Sequence, residues 1–356
     1  MAEAAKLEPP AIPQPLRFAD SLGLSPVWIG GSLGAALLGG FLLLEWALGS
    51  FDSLLAPDAP PERGEDFRVS LVMLMLAAYL PAAQMAGLRA SRRAVEELRR
   101  LLHCSEDEFA ALRGEMGSVH RLGYCCSAIA GLLIGILALV AVEPDWGDNG
   151  LLQHYPEAIS HRILGPILGL LTGILIHSRI SDSRRLSRLG RERVEVDLLD
   201  PRSLAPFARL GLQNALIFVG GISITLLFLA DMGAAPGLVK VLVLLFLLYG
   251  AIATIGMVLP ALGIRDRIRE VKREALEDCR ERIRHTRDAW QAGSGGARGE
   301  GTGMADLLAY RSLIEAFPEW PFNAPLLTRL LLYLAIPLGS WIAGAMVERG
   351  LDRLLD

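Results

Sequence analysis

The sequence predicts an all-α protein: a polytopic membrane bundle of about seven transmembrane helices with helical cytoplasmic extensions. Three observations lead there. Over 356 residues, 52% are hydrophobic, and the mean hydropathy of +0.39 lies above that of ordinary soluble domains. Seven apolar segments are each long enough to cross about 30 Å of hydrocarbon. The arginines fall in blocks in every second gap between those segments.

The first 25 residues are expected to be a cytoplasmic lead-in with a short interfacial turn near Leu16–Leu22. Pro9, Pro10, Pro13 and Pro15 precede an apolar run too long for a signal-peptide core, so no cleavable signal is expected. The spans are Pro26–Leu48, Val69–Leu88, Leu122–Val142, Ile163–Ile180, Leu210–Ala230, Leu238–Leu262 and Pro325–Val347. All should be helical, because open backbone in lipid leaves polar groups unpaired. Residues 26–262 thus form a six-helix bundle with helical cytoplasmic loops at 89–121 and 181–209. Residues 263–323 form an amphipathic helix, a tether and a re-entry segment, and 324–356 the seventh span with a short C-terminus.

Basic residues set the orientation. Arg89, Arg92, Arg93, Arg99, Arg100, Arg113 and Arg121 follow the second span, and a second arginine block runs from Arg179 to Arg209. Eleven Lys and Arg lie between Arg265 and Arg311. The opposite loops are short and acidic, with Glu143, Asp145, Asp148 and Glu157 in one of them. The N-terminus is therefore expected in the cytoplasm and the C-terminus outside. Arg349 and Arg353 keep open the alternative that the last segment re-enters and returns the C-terminus to the cytoplasm.

The cytoplasmic segments read as helices. Ala90–Leu102 is rich in strong helix formers. Ser105 with Glu108 forms a capping-box pair before Glu106–Met116. Ser181–Val196 continues the fourth span, and Asp200-Pro201 is a turn and restart. After Gly263, the residues Ile264, Ile268, Val271, Ala275, Cys279, Ile283, Thr286 and Trp290 form one apolar seam on a nearly straight helix. That seam faces either the chain's own neighbours or the same helix of other subunits. Surface pairs Asp278–Arg282, Glu270–Arg273, Glu277–Arg280 and Glu281–Arg284 dress the other faces. The tether Gln291–Met304 is rich in glycine. A short helix, Ala305–Phe317, follows. Three prolines and the interfacial Trp320 and Phe322 then lead back to the membrane.

Little in the sequence points to catalysis. It holds no Gly-rich phosphate loop and no His-Glu-x-x-His. No catalytic residue, metal ligand set or cofactor is assigned, and the chain is not read as an enzyme. A net charge of -4 argues against nucleic acid as a partner. Cys104, Cys125, Cys126 and Cys279 are expected to be free thiols. His177 reads as a helix-terminus residue, Lys240 as a snorkelling one. Ionisable residues inside spans are few: Glu45, Asp231 and Arg329.

The last span carries a polar stripe of Arg329, Tyr333, Ser340, Gly344 and Glu348, interrupted by Ile336 as a possible constriction, with Pro337 permitting a bend. Such a stripe faces another helix or lines water. Small-residue motifs allow close helix contact at Gly30-x-x-x-Gly34, Gly31-x-x-x-Ala35-x-x-x-Gly39, Ser127-x-x-x-Gly131-x-x-x-Gly135 and Gly165-x-x-x-Gly169-x-x-x-Gly173.

In layout, the whole chain resembles the insect odorant and gustatory receptor-like seven-helix ion channels: an inner N-terminus, seven spans, helical inner extensions and the longest inner segment just before the last span. The likeness is one of plan, without a shared sequence motif, so no residue role is carried over. It implies a tetramer anchored by the inner helices, with the last helix lining the pore. The expectation is a homo-oligomeric ion channel in the lipid bilayer, with Arg329, Tyr333, Ile336, Ser340, Gly344 and Glu348 as pore-lining candidates. Ile264, Ile268, Val271, Ala275, Ile283 and Trp290 would form the assembly helix. The ligand is left open. The composition suits a bacterial inner (plasma) membrane. The alternative is a non-conducting scaffold or sensor acting through the cytoplasmic helices; a carrier or membrane enzyme ranks below both.

Overall fold

A computed structural model describes residues 23–48, 61–118, 120–142, 156–227, 236–291 and 303–322, and from the last apolar segment 328, 329, 331–333 and 335. Among the described residues the architecture is helical: α1 (Pro26–Ala47), α2 (Pro61–Glu97), α3 (Glu106–Glu115), α4 (Arg121–Val142), α5 (Pro156–Glu192), α6 (Ala205–Thr225), α7 (Pro236–Gln291) and α8 (Met304–Ala316). Six of these helices, α1, α2, α4, α5, α6 and α7, are long and apolar enough to cross a membrane. This is the build of a membrane protein. The seventh expected span lies largely outside the described residues.

Local sequence explains where the helices begin. Ser25 caps α1 by accepting the Trp28 N–H at 3.3 Å, with Pro26 in the first turn, where its missing N–H costs nothing. Ser105 and Glu108 form the expected capping box at α3. Asp200 accepts the Arg202 N–H and starts a 3-10 turn, Pro201–Leu204, that runs into α6. The Asp306 carboxylate reaches back to the Gly303 N–H at the start of α8.

Three helices run far beyond a bilayer's thickness without a break. α2 and α5 have 37 residues each and α7 has 56; at about 1.5 Å per residue, α7 is about 84 Å long. Each holds an internal proline: Pro81, Pro166 and Pro260. Pro260 cannot donate to the carbonyl of Gly256. The Asn214 amide of α6 donates to that carbonyl at 3.4 Å, so a neighbouring helix takes up the acceptor that the proline frees.

The arginine-rich ends of α2, α5 and α7 share one apolar core. Val95, Leu98, Leu186, Leu204, Phe207, Ile264 and Ile268 are almost wholly buried there, with Phe109 of α3 and Phe317 beyond α8 at the periphery. An isolated antiparallel bridge, Leu102 to Val194, ties the segments that follow α2 and α5. Between the apolar halves lies a second cluster of Leu80, Leu175, Ile217, Phe218 and Ala253. The Tyr79 hydroxyl donates to the Ile217 carbonyl at 2.6 Å, pinning α2 to α6.

α4 lies along α5, and the two backbones approach closely at their glycines. A Cβ on Gly131 would run into the Gly169 carbonyl, one on Gly169 into the Gly131 carbonyl, and one on Gly173 into the Ser127 carbonyl. The two small-residue motifs therefore face each other within one chain. α1 leans on α2, where Gly30 and Gly34 face Ala82 and Ala78. α1 and α4 turn many large apolar side chains outward, among them Val27, Leu43, Leu133 and Leu137. In a bilayer that surface needs no protein cover.

Candidate functional site

The helix after Gly263 was expected to bury a seam, and it does so against its own chain. Ile264 and Ile268 pack on Leu186, Leu189 and Phe207. The Cys279 thiol is buried and donates to the Leu307 carbonyl of α8 at 3.5 Å. Val271, Ala275 and Ile283 are half-buried, and the Trp290 side chain lies outside the described residues. Of the four expected surface pairs, Asp278–Arg282 forms at 2.9 Å, while Glu270 pairs with Arg267 at 2.7 Å.

α8 folds back along α7 and delivers the chain to the level at which α7 emerges from the apolar layer. A clamp fixes that delivery point. Arg269 bonds Glu319 at 2.7 Å. The Lys272 ammonium donates to the carbonyls of Glu315 and Phe317 at 2.9 and 3.0 Å. The Arg265 guanidinium lies 4.2 Å over the Trp320 ring, which in turn stacks on Phe322.

The hydrogen bond from Arg269, then the positive charges of Arg269, Lys272 and Arg265, hold the Glu319 carboxyl below its usual range. A depressed carboxyl pKa stabilises the folded form above the unfolded value and loses that effect as pH falls through the folded one. The clamp should therefore stay closed from neutral pH down through the ordinary carboxylate range and loosen only below it. Exposure and salt screening keep its effect on global stability small. Hydrogen exchange on 315–322 checks this: protection should be flat between pH 8 and 5, and lower throughout in Glu319→Gln.

Arg329 and Tyr333 are helical, as are residues 328, 331, 332 and 335, and Arg329, Leu331, Leu332 and Tyr333 are all exposed. Ile336, Ser340, Gly344 and Glu348 lie outside the described residues, as do Asp231 and the side chain of Lys240. Of the expected polar stripe, only the first two members, Arg329 and Tyr333, are among the described residues.

The most unusual chemistry sits elsewhere, at the arginine-rich end of α5. Arg179 and Asp182 form an ion pair at 3.1 Å with both side chains 1% exposed. Asp182 also accepts from the Ser91 hydroxyl of α2 at 3.0 Å and from the Gly117 N–H at 2.9 Å. Gly117 turns the chain between α3 and α4 at φ +79°, a conformation that glycine adopts without a steric penalty. Gly87 leaves room for the Arg179 guanidinium, which a Cβ there would strike. Arg185 donates to the Ser118 carbonyl at 2.6 Å and also to that of Glu115. Ser183 accepts from Asn214 of α6 at 3.0 Å. One buried carboxylate thus joins α2, the α3–α4 turn and α5, and its neighbour Ser183 extends the joint to α6.

Sequence reading passed over this joint because Arg179 looked like one more arginine of a basic loop. The signal was present in the i,i+3 pair Arg179-x-x-Asp182, which puts opposite charges on one helix face at the end of a span. Gly87-x-x-x-Ser91 marks a matching small-residue face on α2.

At the opposite end, Ser70 lies 2.9 Å from Ser160 and 3.0 Å from His161, and His161 also meets the Asp66 carbonyl. Glu45 is wholly buried near this end of α1. Among the described residues no three His, Cys, Asp or Glu side chains gather as a metal site would require. Compared with protein-family models, with curated proteins and with solved structures, the chain matches none of them.

Proposed function

We propose that this protein is a homo-oligomeric ion channel, a tetramer in the simplest arrangement, whose last apolar segment forms a seventh span and lines the conduction path. The observation that carries the reading is the placement of that segment's first turns. The clamp on α7 fixes where it starts, yet Leu331, Leu332 and Tyr333 stand exposed rather than packed in the chain's own bundle. Exposed apolar residues just beyond a root held on α7 are suited to meeting their copies around an axis. Arg329, Tyr333, Ser340, Gly344 and Glu348 would then face the passage, with Ile336 as its constriction. The arginine-rich layer would be cytoplasmic, with the N-terminus on that side and the C-terminus outside, in a bacterial inner membrane. No cofactor or catalytic step enters the reading. Because the α7 seam is covered from within, subunit contact falls to the uncovered faces of α7 and α8 and to the last span.

Reconstitution of the full chain in planar bilayers tests this. Discrete conductance steps are expected, and in Ser340→Cys they should be blocked by a charged thiol reagent, with the wild-type channel unaffected. A monomeric particle with no conductance at any voltage would sink the proposal.

A second reading has its own support: a non-conducting sensor that acts through the inner helices. α2, α5 and α7 pass unbroken from the apolar layer into a single core, so a displacement at one end reaches the other. It predicts a cytoplasmic partner captured by the full chain and lost on charge reversal along α7, with no conductance in bilayers.

A further inference from the structure

Between α1, α2 and α6 runs a groove of about 660 Å³. Small side chains of α2 form its floor, from Leu71 past Ala78 and Ala82 to Ala86. Gly30 and Gly34 of α1 stand on one side, Ile217 and Ile224 of α6 on the other. The floor is about 22 Å long at the helical rise, most of the roughly 30 Å of a hydrocarbon core.

Volume and length together set the shape. About 660 Å³ spread over about 22 Å makes a long, open-sided slot, a shape that an extended hydrocarbon chain fills. The lining is apolar, and its one polar side chain, Tyr79, has its hydroxyl committed to the Ile217 carbonyl. A ligand with polar groups along its length would lose hydrogen bonds there.

The groove ends at Pro26 and Ala86, next to Arg89, whose guanidinium donates to the Leu24 carbonyl at 2.7 Å. Arg92 and Arg93 follow one turn on. An apolar slot with a cationic mouth complements a molecule with an apolar tail and an anionic head. We propose that the groove binds one acyl chain of an anionic phospholipid, with its phosphate headgroup at the Arg89 end. Such a lipid would wedge α1 against α2 and α6, and its exchange would alter how α1 sits.

The test uses the full chain in vesicles of equal parts phosphatidylglycerol and phosphatidylethanolamine. One vesicle lipid carries a diazirine in its acyl chain. After photolysis, label should concentrate on α1 near Gly30–Gly34 and on α2 near Ala78–Ala86, at least fivefold above Leu133 and Leu137, which face the bilayer on α4. After extraction, native mass spectrometry should find one retained phosphatidylglycerol per chain. Ala86→Phe should lower retention at least fivefold; Leu133→Phe, equally bulky, should not. Arg89→Gln should remove the preference for phosphatidylglycerol over phosphatidylethanolamine but leave acyl labelling in the groove. Label spread evenly over all outward faces would overturn the proposal. So would crosslinks from the groove to residues 326–347 or to a second copy. If Ala86→Phe fails to fold, the wild-type labelling pattern still decides.

Discussion

Asp182→Ala is expected to lose about 3–5 kcal/mol of stability, the cost of leaving one partner of a buried ion pair uncompensated. Arg179 would remain 1% exposed with its carboxylate partner gone, and the Ser91 hydroxyl and the Gly117 N–H would lose their acceptor as well. The damage should be local first. The α3–α4 turn and the arginine-rich end of α2 are held to α5 through this carboxylate, so proteolysis near residues 103–120 should rise before the apolar layer opens. The comparison that isolates the pair is the double replacement Arg179→Met with Asp182→Leu. It removes both charges and keeps apolar bulk, and should cost much less than Asp182→Ala alone. Unfolding midpoints in one detergent, at one protein concentration, read the effect. A single mutant within about 1 kcal/mol of wild type would mean that the joint does not depend on the pair, since an uncompensated buried charge costs several times that. Gly87→Ala is an independent probe, because its Cβ strikes the same guanidinium from the α2 side.

That joint shows where sequence legibility ended. The apolar runs were legible because about 20 consecutive apolar residues have few other uses, and six of the seven reappear as helices fit to span a membrane. The capping box at Ser105 and the turn at Asp200-Pro201 were legible because their chemistry is local: the donors and acceptors lie within three residues of one another. The continuity of α2, α5 and α7 was partly so, since each apolar run hands over to residues that favour helix. What could not be read is anything decided by which helices become neighbours. Nothing local marks Asp182 as buried; α2 and the Gly117 turn come to rest on it only in the fold. The seam from Ile264 to Trp290 was also consistent with a partner subunit; in the fold α5 and α6 cover its start and α8 covers Cys279. Arg265, Arg269 and Lys272 belong to the basic block that set the orientation, yet they hold a segment some fifty residues on, beyond the glycine-rich tether. Pairing across long sequence separation leaves no periodic mark.

The glycines of α4 and α5 give the other large effect and show how a repeated motif divides once neighbours are known. Gly165, Gly169 and Gly173 are equivalent in sequence. In the fold, a Cβ at Gly165 meets nothing within 4 Å, whereas at Gly169 it meets the Gly131 carbonyl and at Gly173 the Ser127 carbonyl. Backbone cannot step aside as a flexible side chain can. Gly169→Leu must therefore push α4 off α5 along the whole contact. The cost should exceed the about 1–3 kcal/mol of ordinary overpacking, because every backbone contact in the zipper opens together. Even Gly169→Ala should be clearly destabilising. Gly165→Ala should be neutral or stabilise by about 0.5–1 kcal/mol, since alanine loses less backbone entropy in a helix. The two alanine variants make the same change in side chain, so the difference between them reads geometry. The folded fraction on sizing and the unfolding midpoint should run Gly165→Ala at or above wild type, then Gly169→Ala, then Gly169→Leu. Equal behaviour of the two alanine variants would show that α4 and α5 do not meet through these glycines.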